Sequence, residues 1–228
     1  MNDMTKIIET HYATESESAA LGHINIASFQ HQPFWPNVMP GIDLASCLPL
    51  KQARCLEKLV SPNIHVFSAV DTGVDRVVGY ARWTVPWAES KVELSDEGKA
   101  LLANAGNLKP EGMREEIYEA FFKVLKEKRN VYLKDDDMIL DMLATLPEYQ
   151  GQGVGTKLLE WGIQQAEGRN ARIYLEATMD GYPLYCKYGW QRLEDLNLDF
   201  AQYGGTGKAQ FVLMMREPQN SAASQHRA

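Results

Sequence analysis

The sequence predicts an α/β (α+β) fold, because strand-like and helix-like segments both recur along its 228 residues. Three observations carry this prediction. Residues 138–143 form an apolar run that leads through a glycine-rich turn into a helical pattern. Residues 63–70 and 76–86 are apolar runs joined by a short polar turn, which is typical of antiparallel strands. Residues 15–30 repeat apolar side chains at helical spacing.

In the first third of the chain, the sequence pattern predicts a short strand and two helices, which precede the antiparallel strands at 63–70 and 76–86. Thr14 is placed to cap the first helix, because its hydroxyl can accept a hydrogen bond from a free N–H of the first turn. Phe34 and Trp35 lie in a turn-rich loop between the helices. The predicted segments are a strand at 6–11, a helix at 15–30, the loop at 31–41 and a helix at about 50–59.

A polar, helix-rich segment at residues 87–136 separates two predicted strands. Pro110 suits a helix start, because the N–H that proline lacks is not needed there. Segments of this size often cover a site and set its specificity, and otherwise add a stabilising pair of helices; both readings stay open. The apolar stripe of its main helix consists of Met113, Ile117, Phe121, Val124 and Leu125 and extends to about Arg129.

In the last third of the chain, the sequence pattern predicts short helices and strands around the apolar run at 171–177. They are a helix at 154–167, strands at 171–177, 190–193 and 210–215, a short helix at 182–188, and a polar, disordered tail at 217–228.

The turn after the first apolar run has the properties of an anion site. Gly151, Gly153 and Gly155 allow sharp bends and close approach of a ligand to the backbone. The helix that follows presents free N–H groups and the positive end of its dipole at the same place. A strand, glycine loop and helix in this order commonly bind a phosphate or pyrophosphate.

The spacing excludes two of the three protein classes that use such a loop. A nucleoside-triphosphate loop requires Gly-Lys-Ser/Thr, whereas Thr156 precedes Lys157 here. A dinucleotide fold is a closer competitor, because two glycines are correctly spaced and Glu176 follows at a suitable distance. It fails because Thr156 replaces the third glycine and residues 147–150 separate the strand from the loop.

The third pattern fits. Residues 150–155 read Gln-Gly-Gln-Gly-Val-Gly and match Q/R-x-x-G-x-G/A, which resembles the acetyl-coenzyme A loop of the GNAT superfamily of N-acetyltransferases. Residues 174–177 read Tyr-Leu-Glu-Ala, and residues 181–190 contain Leu-Tyr-x-x-x-Gly-Trp, which resembles the second signature of that family. The resemblance is strong over residues 137–216 and weak before them.

The resemblance implies a GNAT fold: a mixed, mainly antiparallel, twisted sheet of six or seven strands flanked by helices. Its two central strands, ending near Thr145 and starting near Arg172, would separate to admit acetyl-coenzyme A. Residues 1–216 would form a single N-acetyltransferase domain, with 87–136 as a helical insertion and potential substrate lid.

The resemblance also implies the cofactor contacts. Leu143, Ala144 and Thr145 would offer backbone groups to the pantetheine arm, as an added strand would. The glycine loop would bind the pyrophosphate through its amide N–H groups. Residues 179–181 depart from the family, because many relatives carry an asparagine there. The loop residues implied are Gln150, Gly151, Gln152, Gly153, Val154, Gly155 and Thr156.

Acetyl transfer to an amine requires a proton acceptor for the amine and a proton donor for the departing thiolate. Tyr185 occupies the position of the thiolate-protonating tyrosine in the family signature. Asp141 and Glu176 interrupt apolar strands, where a charge is costly unless it faces a polar cleft. Either of them could deprotonate the amine, directly or through water, and either could instead anchor loop backbone.

The aromatic residues Phe34, Trp35 and Trp83 are predicted to line the acceptor site. The predicted reaction is transfer of an acetyl group from acetyl-coenzyme A to a primary amine of a small molecule, by direct attack in a ternary complex. A protein or peptide acetyltransferase and a non-enzymatic acyl-coenzyme A sensor are the alternatives.

Composition limits the partners and the location. A formal net charge of −7 argues against nonspecific nucleic-acid binding. No apolar run approaches the roughly 20 residues of a membrane span, and no secretory signal is recognisable at the N-terminus. Three scattered cysteines indicate neither disulfides nor a zinc site, and no other metal is implied. We therefore expect a cytoplasmic monomer or homodimer.

Overall fold

The computed structural model describes residues 7–88 and 92–219. Within these residues the strands are β1 (Ile8–Tyr12), β2 (Ile64–Asp71), β3 (Arg76–Thr84), β4 (Met138–Thr145), β5 (Ile173–Thr178), β6 (Gln191–Asp199) and β7 (Lys208–Arg216). The helices are α1 (Ser18–Phe29), α2 (Phe34–Val38), α3 (Leu48–Leu59), α4 (Asp96–Ala103), α5 (Glu115–Tyr132), α6 (Val154–Arg169) and α7 (Tyr182–Lys187).

The strands form one seven-stranded sheet in the order β1-β2-β3-β4-β5-β7-β6. The pairs β1/β2, β2/β3, β5/β7 and β6/β7 are antiparallel, and β4/β5 is parallel. The mixed, mainly antiparallel sheet predicted from the sequence is thus confirmed. The parallel ladder comprises only Met138–Ile173 and Ile139–Tyr174, so pairing of the two central strands ends soon after it starts, as the predicted separation requires.

The chain divides into two compact units. The first takes its residues from Met1–Phe29, Asp43–Pro110 and Met142–Gly162, and the second from Gln30–Ile42, Glu111–Asp141 and Ile163–Ala228. The predicted single domain over 1–216 stays a prediction beside this division.

The core of the first unit contains a set of packed aromatic rings. Trp83 on β3 is fully buried, and its ring centroid lies 6.2 Å from that of Trp161 on α6. Phe67 on β2 contacts the same Trp161 ring at 4.8 Å. Gly162 makes this packing possible, because a Cβ at that position would lie 2.3 Å from the nearest ring atom of Trp83.

In the second unit, α5 makes contacts with four strands. Phe121 packs on Phe211 of β7, with ring centroids 5.6 Å apart. Further along the helix, Tyr132 donates a hydrogen bond of 2.7 Å to Glu194 of β6. Lys128 pairs with the same carboxylate, and Arg129 reaches carboxylates on β4 and β5. The helix of the predicted insertion is therefore tied to the sheet by charged side chains as well as by its apolar stripe.

The structure differs from the sequence prediction in three elements. Residues 31–41, predicted as a loop, contain α2, and β6 continues to Asp199 instead of ending near residue 193. Segment 87–136 contains α4 in addition to α5. A tertiary contact explains α2, because the Asn37 amide donates to Pro33 O at 2.7 Å and to Thr206 O at 2.9 Å. Residue 6 of the first predicted strand and residues 220–228 of the predicted tail lie outside the described residues.

Over the described part of the chain, no helix is both long and apolar enough to cross a membrane.

Candidate active site

The glycine loop lies between the end of β4 and the start of α6, as the sequence predicts. Gly151 and Gly153 have φ angles of +72° and +84°, a conformation that glycine adopts without steric cost. A Cβ added at either position would find no other heavy atom within 4 Å. Open space therefore adjoins both glycines, and it lies beside the first free N–H groups of α6, so the loop fits a bound pyrophosphate.

Side chains around the loop hold its backbone in place. The Gln152 amide donates to Glu148 O at 2.7 Å, and the Tyr149 hydroxyl donates to Asp71 at 3.0 Å. The carbonyl of Thr145 accepts from Ser28 at 3.0 Å and from the Gln150 amide at 3.2 Å. A carbonyl oxygen has two lone pairs, and these two hydrogen bonds occupy both lone pairs of the Thr145 oxygen. A pantetheine arm would therefore have to use other backbone groups nearby.

The strand before the loop is closely packed by backbone from β3. A Cβ on Gly79 would lie 2.9 Å from Ala144 O and 2.8 Å from a methyl of Val154. The N–H of Leu146 donates to Val78 O at 2.9 Å. Of the predicted cofactor residues, Ala144 and Val154 are thus packed against Gly79 of β3, whereas an added Cβ at Gly151 or Gly153 would meet open space.

Substituting Gly153 by valine should weaken acetyl-coenzyme A binding at least tenfold, which corresponds to about 1.4 kcal/mol. The physical reason is conformational, because a β-branched residue strongly disfavours a positive φ and would distort the loop backbone. Calorimetric titration of the folded variant measures this. Gly207→Val is a matched control, because Gly207 has φ +73° and the same open surroundings but lies between β6 and β7. Equal affinities of wild type and Gly153→Val would contradict the loop assignment.

The two predicted carboxylates are brought together by a third residue. Arg129 of α5 donates to both oxygens of Glu176 at 2.7 Å, and its other terminal nitrogen lies 2.9 Å from Asp141 Oδ1. The side chain of Glu176 is 7% exposed and that of Asp141 is 12% exposed. Burial disfavours the guanidinium charge, but hydrogen bonds and charges from both carboxylates outweigh it and raise the pKa of Arg129.

Tyr185 is buried in α7, with 8% of its surface exposed. Its ring packs edge-on against Trp190 at a centroid distance of 5.8 Å. A Cβ on Gly181 would lie 3.0 Å from the ring carbon Cε2, so this glycine makes room for the phenol. Burial raises the pKa of Tyr185, and the hydroxyl therefore stays protonated through the neutral range, as a proton donor must.

The predicted aromatic acceptor residues lie in different surroundings. Phe34 is half-buried, and the rings of Trp35, Tyr118, Phe121 and Phe122 surround it at centroid distances of 4.6–6.4 Å. Trp35 is only 4% exposed.

Trp83 does not share that environment. It is 0% exposed and packs against α6 at Gly162, so no surface of it is available to a substrate. Its position is that of a core residue of the first unit. The role of Phe34 and Trp35 in the acceptor site stays a prediction.

Sequence reasoning did not assign a role to Arg129. The signal was present, because Leu125 ends the apolar stripe of α5 and the next position on that face is a charged residue. Asp141 and Glu176 likewise interrupt apolar strands. Three charges in three apolar patterns indicate a shared, partly buried cluster.

A second unassigned cluster joins the loop after α1 to the turn before α7. His31 Nε2 lies 2.9 Å from Asp180 Oδ2, and the Gln32 amide donates to the same oxygen at 2.9 Å. Asp180 lies in the 179–181 segment, which departs from the family pattern in the sequence analysis. The side chains of His31 and Asp180 are both more than half exposed.

Comparison with known proteins identifies the class to which this fold and these motifs belong. Residues 25–190 match the model of the Acetyltransferase (GNAT) family. The chain therefore belongs to the GNAT acetyltransferase family, whose members are acetyl-coenzyme A-dependent acyltransferases. No curated protein matches it significantly.

Solved structures share the fold at low sequence identity. A histone acetyltransferase HPA2 and related acetyltransferase from Corynebacterium glutamicum is 21% identical, with a TM-score of 0.60 over 92% of this chain and 96% of its own. The polyamine N-acetyltransferase of Drosophila melanogaster, which forms N-acetylagmatine, is 14% identical, with a TM-score of 0.59 over 92% and 100%. A mosquito arylalkylamine N-acetyltransferase like 5b is 13% identical, with a TM-score of 0.55 over the same shares.

Proposed function

We propose that this enzyme transfers the acetyl group of acetyl-coenzyme A to a primary amine of a small molecule, by direct attack in a ternary complex. The observation that carries the small-molecule assignment is the placement of α5. A peptide substrate needs an open groove on the sheet, and α5 instead contacts β5, β6 and β7 through Glu176, Glu194 and Phe211. One structural neighbour forms N-acetylagmatine and another is named an arylalkylamine N-acetyltransferase like 5b, and both names are compatible with this class of acceptor.

The cofactor contacts of the proposal follow from the loop. The amide groups from Gln150 to Thr156 would bind the pyrophosphate, and the backbone of Leu143 and Ala144 would bind the pantetheine arm. When bound, acetyl-coenzyme A supplies the activated thioester. The chain's own contribution is to hold both substrates in register, which can account for most of the acceleration of such a transfer.

Tyr185 would donate a proton to the departing thiolate, because its phenol is buried and remains protonated. Asp141 is the better candidate for amine deprotonation. Glu176 accepts hydrogen bonds from Arg129 through both carboxylate oxygens, which suits a residue that holds the guanidinium in place. In this assignment Glu176 holds Arg129, and Asp141 accepts the proton directly or through water.

A panel of acceptors tests the assignment. Release of free thiol from acetyl-coenzyme A would be measured with aliphatic diamines, arylalkylamines, and peptides that carry a free N-terminus or a lysine. We expect kcat/KM to be at least tenfold higher for one of the small amines than for any peptide. Preference for a peptide would favour the protein acetyltransferase alternative, and cofactor binding without turnover would favour an acyl-coenzyme A sensor.

A further inference from the structure

The short helix α2 is joined by the side chain of Asn37 to residues 200–207, the β6–β7 loop. The amide nitrogen of Asn37 donates to Thr206 O at 2.9 Å, and its amide oxygen accepts from Thr206 N at 2.7 Å. The second amide proton goes to Pro33 O at 2.7 Å. Asn37 is only 5% exposed, and its oxygen and both of its N–H groups are therefore engaged inside the protein.

The β6–β7 loop is shaped to receive this side chain. A Cβ on Gly205 would lie 2.3 Å from Asn37 Oδ1, so glycine makes the close approach possible. Arg114, which precedes α5, donates from its guanidinium to Gly204 O at 2.9 Å and from its backbone to Val38 O at 2.9 Å. The end of α2, the start of α5 and the β6–β7 loop thus meet in one joint.

The joint determines where the ring of Phe34 lies. Phe34 starts α2, one turn before Asn37, and its half-buried ring contacts Phe121 at 4.6 Å and the exposed Phe122 at 6.1 Å. A helix of 5 residues is too short to be stable alone, so its position depends on tertiary contacts. The hydrogen bonds of Asn37 are directional contacts of this kind, and they fix α2 to the loop.

Helix α5 connects the Phe34 ring to the carboxylate that would act on the amine. Phe122 and Arg129 are two helical turns apart on α5, which corresponds to roughly 10 Å. Arg129 lies 2.9 Å from Asp141, the proton acceptor of the proposed function. A span of this size matches an amine that carries a ring on a short alkyl chain.

We propose that Asn37 is a positioning residue that sets the acceptor specificity of acetyl transfer. It holds Phe34 where the ring can pack on the apolar or aromatic body of the amine. The proposal rests on the proposed function and narrows its acceptor to an amine with such a body. Aromatic rings interact favourably only in particular arrangements, with centroids about 4.5–7 Å apart. A displaced Phe34 would therefore lose discrimination between acceptors and leave the chemical step in place.

The test measures kcat/KM for phenylethylamine and for ethylamine, which differ only in the phenyl ring. We expect the ratio of the two values to be at least about tenfold in wild type, since apolar groups in a pocket discriminate on this scale. In Asn37→Ala the ratio should fall at least about threefold, while KM for acetyl-coenzyme A changes less than about twofold. Both amines are measured on one preparation, so a loss of folded protein alone does not change the ratio.

Two further variants test the joint itself. Asn37→Asp keeps the size and the acceptor oxygen but cannot donate to the carbonyls of Pro33 and Thr206, so it should lower the ratio as well. Gly205→Ala disturbs the same contact from the loop side and should have the same effect. Asn197→Ala is the control, because Asn197 is an exposed asparagine of β6 that bonds to Gln210 outside the joint. It should retain the wild-type ratio.

A double variant shows whether Asn37 acts through Phe34. In a Phe34→Leu background, Asn37→Ala should change the ratio no further, because the ring that it positions is gone. An independent further loss there, an unchanged ratio in folded Asn37→Asp and Gly205→Ala, or a wild-type ratio near one would overturn the inference and leave the proposed function standing. If wild type acetylates only peptides, or neither amines nor peptides, the proposed function fails and the inference fails with it.

Discussion

Replacing Tyr185 by phenylalanine is expected to slow acetyl transfer by about 10²–10⁴-fold, the usual effect of losing a general acid. The change removes one hydroxyl from a ring that is otherwise held by packing. The ring packs edge-on against Trp190, and Gly181 adjoins its Cε2 carbon, so both contacts survive in phenylalanine. The Michaelis constants for acetyl-coenzyme A and for the amine should therefore change little.

The measurement must be made in single turnover, because slow product release can hide an effect on the chemical step. The pKa of Tyr185 is raised by burial, so its ionisation should not produce the alkaline limb of the pH profile of the free enzyme. We expect that limb, where it exists, to persist in Tyr185→Phe while the rate at its plateau falls.

Tyr188→Phe is the matched control, since Tyr188 lies three residues further on, at the end of α7. This variant should retain the single-turnover rate of wild type. Wild-type rates in Tyr185→Phe together with a slow Tyr188→Phe enzyme would transfer the role of acid to Tyr188.

Local sequence patterns were sufficient for the part of the fold that surrounds the glycine loop. An apolar strand, glycines at positive φ and a helix start are determined by neighbours in the chain, so they could be predicted without tertiary information. Asp141 and Glu176 were recognisable for a similar reason, because a charge in an apolar strand needs a specific explanation.

Features that depend on distant residues could not be predicted in the same way. The pairing of Arg129 with two strand carboxylates requires the register of β4 against β5, which no local pattern encodes. Helix α2 depends on Asn37, whose amide contacts Thr206 far along the chain. Tryptophan is a residue type that often lines ligand sites, and only the burial of Trp83 against Gly162 shows it to be a core residue.

The burial of Trp83 against Gly162 leads to the largest effect on stability that we expect. Gly162→Ala should destabilise the protein by about 3 kcal/mol, because the new Cβ would lie 2.3–2.5 Å from three ring atoms of fully buried Trp83. For a chain of this size the loss should lower Tm by roughly 6–12 °C. Calorimetry or thermal unfolding followed by circular dichroism measures both quantities.

A second glycine on the same helix gives the opposite expectation. Gly168 of α6 has no heavy atom within 4 Å of an added Cβ, so Gly168→Ala should gain the helix propensity of alanine, about 0.5–1 kcal/mol, without a clash. The two variants make the same chemical change in one helix. A difference in sign between them isolates the steric contribution of Trp83.

The double variant Gly162→Ala/Trp83→Phe tests the cause directly. The three Trp83 atoms that an alanine Cβ would meet all belong to the six-membered ring of the indole. The smaller side chain of phenylalanine does not extend as far as these atoms. Trp83→Phe alone should be destabilising because it leaves a cavity, which the new methyl of Gly162→Ala would partly fill. The double variant should therefore be more stable than the sum of the single effects predicts, with a coupling free energy of about 1–3 kcal/mol. Strict additivity would mean that the cost at Gly162 arises elsewhere in α6 and that the contact with Trp83 does not limit this position.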